Sequence, residues 1–367
     1  MKLRKHASLV VLSGLIFSLI LSPSLIARGT KQEVQTDKSK PIIIPDAVKK
    51  VFEEGIPTRE TKQDIPFTII QHLCLPDFPV RSNLHNIVYF KVKNADLGFA
   101  PLTAGSEPEK KKSEEETQSI FQSTASRLRA QSHVFLQFNQ LENNVVGEVA
   151  REVYIPVMMQ VDGSSYEADK EELYTARNLM PPGNYLLSMA IASADLKRIG
   201  TQYLECSIPD ESSFTDNLET TPILFVSEMK QMPSRESKAS VHKGSFTFII
   251  YEMGLNLEKV FSSGDNLELF FYILGTQPGE GGQYAIEINY EVLKGEEVAI
   301  RYAPGTYANP LVQQSLPLVQ RVVIKSEAGE KEEVRELEAG KHILSMKITD
   351  KVSGNSVEKK IEFEVVK

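Results

Sequence analysis

Residues 181–208, PPGNYLLSMAIASADLKRIGTQYLECSI, return without a gap as residues 338–365, EAGKHILSMKITDKVSGNSVEKKIEFEV. The two copies stand 157 positions apart (340 − 183), so Gly183 falls on Gly340, Leu187 on Leu344, Ser188 on Ser345, Met189 on Met346, Ile191 on Ile348 and Glu205 on Glu362. An internal repeat of this kind requires a fold that can be built twice. Within each copy a turn carrying Gly leads into an alternating strand, a polar turn follows, and a second alternating strand closes the unit. Ile361, Phe363 and Val365, set against Glu362 and Glu364, show the period of two that one buried sheet face imposes. The repeat therefore predicts a β-hairpin on a sandwich, present twice.

The chain has 367 residues, of which 41% are hydrophobic and 25% charged, enough for two domains with proper cores. A formal charge of −8, with no extended basic patch beyond the N-terminus, argues against a nucleic-acid partner, since displacing counterions from a phosphate backbone needs a basic surface. Lys2, Arg4 and Lys5 precede an apolar run over residues 7–21, and Ser22, Pro23, Ser24 and Ala27 follow. This pattern reads as a secretory signal peptide over residues 1–24, cleaved after Ser24. The apolar run is shorter than the roughly 20 residues of a spanning helix, so no transmembrane span is expected in the mature chain.

Residues 25–64 read as a connecting arm, with a short strand at 42–44 and one or two helical turns at 47–52. A first sandwich is expected over 65–210, with a disordered insertion at about 100–130, because residues 106–117, SEPEKKKSEEET, hold no core-forming side chain. Residues 211–243 read as an interdomain segment and 244–367 as a second sandwich, restarting at SFTFII (245–250) as the first does at PFTII (66–70). About seven short strands per unit, separated by Gly, Pro, Asn and Asp turns, predict an all-β chain of two tandem immunoglobulin- or fibronectin-III-like sandwiches. No helix longer than two turns is needed. The Cys, Trp, Cys pattern of true immunoglobulin domains is absent, for the chain has no Trp.

The run 179–210, with its Pro-Pro-Gly-x-Tyr opening and Ile-Pro-Asp close, resembles the β-sandwich modules at the end of exported bacterial proteins named for a Gly-Trp-x-Thr-Asp motif. Residues 246–367 are similar to uncharacterised exported proteins built only from such modules. The namesake motif cannot occur without Trp, which removes any function attached to it. What the resemblance implies is an exported envelope protein, periplasmic or at the cell surface, of unrecorded role.

Cys74 and Cys206, the only cysteines, are a candidate disulfide in an oxidising compartment. The competing reading is two buried thiols acting as small hydrophobes, since Cys206 matches the core position Phe363. His72, His85, His133, His242 and His342 show no metal-ligand spacing, no nucleophile elbow or phosphate loop is present, and no cofactor is expected. Asp162, Ser164 and Glu167 lack the Asp-x-Asp spacing of an efficient calcium loop and read as turn chemistry.

One stretch invites a partner. Leu269, Phe270, Phe271, Tyr272, Ile273 and Leu274 put large apolar groups on both faces of one strand, so either the strand is covered twice or one face is a contact site. Phe270, Phe271 and Tyr272, with Ile223 and Phe225 of the interdomain run, are the candidate partner surface. The expected role is a non-enzymatic binding or scaffold protein whose partner is an envelope protein or polysaccharide. The rivals are a carbohydrate-binding sandwich, which would line up Tyr residues on a solvent face, and a hydrolase with catalytic groups dispersed along the chain.

Overall fold

The computed structural model describes residues 44–77, 83–101, 127–210, 217–326 and 329–367, all within one compact unit, 42–367. The signal-peptide segment and the charged run 106–117 lie outside the described residues.

The first module holds helix α1 (Asp46–Gly55), β1 (Phe67–Pro76), β2 (Leu84–Lys93), the short helix α2 (Asn94–Leu97), β3 (Ala100–Pro101), β4 (Arg127–Glu142), β5 (Val145–Asp162), β6 (Glu171–Met180), β7 (Gly183–Ser193) and β8 (Ile199–Ile208). Its strands form two antiparallel sheets. One runs β1-β2-β6, the other β4-β7-β8 with β3 and β5 also pairing β4. Val134, Leu136 and Phe138 of β4 and Leu187, Met189 and Ile191 of β7 meet Val88, Phe90 and Ala176 between the sheets. At the start of β7, Tyr185 donates to the carbonyls of Pro181 and Pro182 at 3.2 and 3.1 Å, the tyrosine corner that anchors many such sandwiches.

The second module repeats the plan with β9 (Glu219–Thr220), β10 (Leu224–Gln231), β11 (Ser240–Lys243), β12 (Ser245–Phe248), β13 (Tyr251–Leu255), β14 (Val260–Ser262), β15 (Asn266–Leu274), β16 (Ile286–Lys294), β17 (Glu297–Arg301), β18 (Gly305–Tyr307), β19 (Leu311–Pro317), β20 (Val319–Ser326), β21 (Gly329–Glu336), β22 (Gly340–Asp350) and β23 (Ser356–Val366). Adding 157 to the bounds of β7 gives those of β22, and β23 stands to β8 in the same way to within one residue. The partners repeat as well. β16 pairs β22 as β4 pairs β7, and β17 flanks β16 as β5 flanks β4. On the opposite sheet β10-β15-β19 corresponds to β1-β2-β6. Both modules are thus immunoglobulin- or fibronectin-III-like sandwiches, β1-β2-β6 facing β4-β7-β8 in the first and β10-β15-β19 facing β16-β22-β23 in the second.

Three expectations change. The second module begins at β9 and β10, not at 244: β10 starts beside β15 as β1 lies beside β2. The interdomain segment 211–243 is no free linker, since β10 belongs to the second module while β11 pairs β6 and widens the first module's sheet. The arm is no mere connection either. α1 is ten residues long, beyond the two turns foreseen, and Val48 and Phe52, one turn apart, are fully buried with Ile44 against Phe135, Ala190, Ala192 and Ile199.

The modules pack face to face. Leu73, Leu75, Ile87 and Tyr89 on the outer face of β1-β2 meet Leu224, Phe246, Phe248, Met253 and Phe270 of the second module. A bulge in β1 makes this arrangement reachable. Ile69 opposes Phe90 and Gln71 opposes Tyr89, so Ile70 is an extra residue and the side-chain phase flips there. Phe67 and Ile69 face the first core, whereas Leu73 and Leu75 face the neighbouring module. The order of layers is α1, sheet β4-β7-β8, sheet β1-β2-β6, sheet β10-β15-β19, sheet β16-β22-β23.

Candidate functional site

The apolar strand β15 is covered on both faces, which corrects the expected partner surface. Leu267, Leu269, Phe271 and Ile273 point into the second core, and Phe270 points the other way into the intermodule layer against Phe248 and Tyr251. Tyr272 is half-buried against the first core. Phe225 stacks edge-on with Phe261 at 5.3 Å inside the second core, and Ile223 packs beside it. The residues were legible as sticky; what they stick to is the chain itself.

Cys74 and Cys206 are free thiols in the structure, not a disulfide. The β1 bulge turns Cys74 inward, into the core that also holds Cys206, and burial pushes both thiols up to about 12. Beside Cys74, His72 Nε2 lies 3.5 Å from Sγ and 2.6 Å from Asn86 Oδ1. These are the residue types of a cysteine-hydrolase triad, but the same ring nitrogen meets both neighbours. A relay needs the thiol on one nitrogen and the orienting amide on the other. Burial lowers the pKa of His72 while it raises that of Cys74, so neither the imidazolium nor the thiolate of an activated pair is favoured. This cluster packs a core rather than activating a nucleophile.

The remaining sequence candidates also resolve into structure. Asp162 accepts from Ser164 N at 2.9 Å and Ser164 Oγ at 2.7 Å and caps a short 3-10 turn, while Glu167 lends its carbonyl to Asn94. His342, matched to Tyr185 by the repeat, is buried and lies 5.7 Å from Phe363, nearly parallel to it. All twelve tyrosines are buried or half-buried, so none forms an exposed stacking platform. No group of three or more metal-ligating side chains occurs among the described residues. Likewise no described helix is long and apolar enough to cross a membrane.

What stands open is the outer face of sheet β16-β22-β23. There a depression of about 500 Å³ has Asn289 and Ser345 among its lining and the longer Glu291, Lys347, Glu358 and Lys360 around them. Arg301 on β17 donates from Nε to Glu291 Oε1 at 2.7 Å and remains largely exposed. Tyr302, half-buried at its side, donates to the Pro317 carbonyl at 2.9 Å. Period two dictates this face: Leu344, Met346 and Ile348 alternate inward with Ser345, Lys347 and Thr349 outward. The arrangement offers hydrogen bonds and both signs of charge on a rigid sheet, with no nucleophile–base pair. Neither Lys347 nor Lys360 stood out in the sequence; comparing the two repeat copies position by position would have found them.

No known family model matches the chain, and no curated protein matches it. Among solved structures it is similar to the fibronectin(III)-like modules of CbhA from Clostridium thermocellum, at 9% identity over 82% of this chain and 94% of that one. With a TM-score of 0.16 this likeness carries no argument, and the sandwich assignment rests on the strand pairings above.

Proposed function

We propose that the protein is a non-enzymatic, exported binding or scaffold component of the bacterial envelope, and that it contacts a protein partner through the open face of sheet β16-β22-β23. The carrying observation is that this face is a charged sheet surface over which no described element packs, although its counterpart in the first module lies under a helix. Lys347, Lys360 and Arg301 interleave with Glu291 and Glu358, a two-signed pattern that suits the mixed charges of another protein surface. A polysaccharide is the less favoured partner, since flat sugar rings are held by exposed aromatics and every tyrosine here is at least half-buried. Export rests on the residue pattern of the N-terminus and on the resemblance to modules of Gly-Trp-x-Thr-Asp proteins.

The full chain, immobilised and offered an envelope extract holding both protein and polysaccharide, tests this reading beside a Lys347→Glu, Lys360→Glu double variant. Both lysines are exposed, so the variant folds. A protein retained by the wild type and lost from the variant supports the proposal. Retention that ignores the variant, or retention of polysaccharide alone, overturns it.

A further inference from the structure

Between β10 in the second module and β12 in the same module, the chain crosses to the first module and back. β11 pairs β6 in the register Ser240 with Arg177 through Lys243 with Tyr174. Gly244 then turns the chain with φ +71°, a conformation that costs glycine little, and its N–H donates to the Leu173 carbonyl at 2.8 Å. Immediately after, Thr175 Oγ1 donates to the Ser245 carbonyl as β12 enters the other sheet.

This crossing is fastened by a buried polar chain. Arg177, on β6, is 1% exposed, yet its guanidinium donates to His85 Nδ1 at 2.8 Å and to the carbonyls of Glu236 and Lys238 at 2.8 and 2.7 Å. His85 in turn donates from Nε2 to Asp77 Oδ1 at 2.9 Å, and Asp77 also meets Arg235. A single oxygen of Glu236, Oε2, accepts from Ser240 at 2.8 Å, from His242 at 3.0 Å and from Thr247 at 2.5 Å, which joins strands of both modules. Residues from β2, β6, β11, β12, the turn after β1 and the loop between β10 and β11 therefore share one network.

We infer that residues 224–248 are a strap that fuses the two sandwiches into one cooperative unit of fixed mutual orientation, with Arg177 as its buckle. Tandem modules joined by a plain linker unfold separately and swing. Here neither module's sheet is complete without the strap, and opening it takes from the buried Arg177 guanidinium the two carbonyls to which it donates. A fixed orientation sets α1 and the open face of β16-β22-β23 at opposite ends of one rigid stack, a spacer rather than a flexible tether.

Calorimetry of the full chain tests the strap. One transition for the whole chain, with van't Hoff and calorimetric enthalpies equal, is expected; two resolved transitions in the wild type overturn the inference. Arg177→Met keeps much of the side chain's length and removes the guanidinium that donates to the Glu236 and Lys238 carbonyls. It is expected to raise the rate of proteolysis within residues 232–239 by about 100-fold, the shift in opening that follows when charge-assisted buried hydrogen bonds are lost. Proteolysis at the wild-type rate in Arg177→Met overturns Arg177 as the buckle.

Discussion

The sheets β4-β7-β8 and β16-β22-β23 share a pattern inward and part company outward. Leu187, Met189 and Ile191 have become Leu344, Met346 and Ile348, all fully buried, because each core asks the same of those positions. Adding 157 on the outer face turns Ala190 into Lys347, Ala192 into Thr349, Ile199 into Ser356, Thr201 into Glu358 and Tyr203 into Lys360. In the first module Ala190, Ala192, Ile199 and Tyr203 lie under α1 and Thr201 under the segment that follows it at Lys62, with a Tyr203 hydroxyl donating to the Val51 carbonyl and Lys49 meeting Glu152 at 2.9 Å. In the second they face solvent. A duplicated sandwich thus holds its core constant and varies its outer face, one copy being covered by its own helix and the other open to solvent.

That contrast can be broken deliberately. Phe52→Ala removes the ring that α1 buries and is expected to cost about 3–5 kcal/mol in denaturant unfolding, the range for large core truncations. Ala190→Lys carries the second module's residue into the first and places an unpaired charge beneath the helix, for about 3 kcal/mol or more, whereas Lys347→Ala stays within about 0.5 kcal/mol. Equal effects of the two would erase the asymmetry. Gly200→Val imports the residue that the repeat places at 357. A Cβ at Gly200 would lie 1.8 Å from the Ile65 carbonyl oxygen, so the segment leading into β1 must shift, at about 1–3 kcal/mol.

An effect of another kind concerns acid. Burial, then the adjacent Arg177, hold His85 at about 3, well below an ordinary histidine, so the folded state keeps it neutral while the unfolded chain takes up a proton. Stability attributable to this group is fully present above about pH 6.5 and is lost as pH falls from there toward 3. A plot of urea midpoint against pH should slope downward over that window, and His85→Gln, though less stable at neutral pH, should flatten it. Asp77 and Arg177 face His85 directly, with Arg235 beside Asp77, Glu236 beside Arg177 and Phe248 edge-on to the ring.

Much of this architecture was legible in the residues. The duplicated hairpin appeared because inward alternation survives duplication, and the sandwich followed from it. Helical turns were legible at 47–52, but the docking of α1 was hidden, because Val48 and Phe52 with Val51 beside them are too little in a polar stretch to declare burial without the sheet beneath. A signal did exist in the partner strand. β7 reads NYLLSMAIAS with no charge on its outer face, while β22 reads KHILSMKITD with Lys347 there, and an uncharged alternate face means cover on both sides. The partner surface was misplaced because an apolar strand looks the same whether it meets a stranger or the neighbouring module. The β1 bulge, which sends Leu73 and Leu75 to that neighbour and Cys74 to the core, leaves no mark in composition or period. The strap was hidden for a related reason, since Arg177 and Glu236 are far apart in sequence and each alone reads as surface charge.

The covered face and the open face can be compared in one experiment. Cysteine is placed at 190 in one variant, Ala190→Cys, and at 347 in another, Lys347→Cys, and thiol labelling of the folded chains is timed against the buried native Cys74 and Cys206. The account predicts that position 347 labels like a free thiol and that position 190 stays silent until denaturant is added. Labelling of 190 as fast as 347 would mean that α1 does not seal the first face, and the division between a covered and an available sheet would fail.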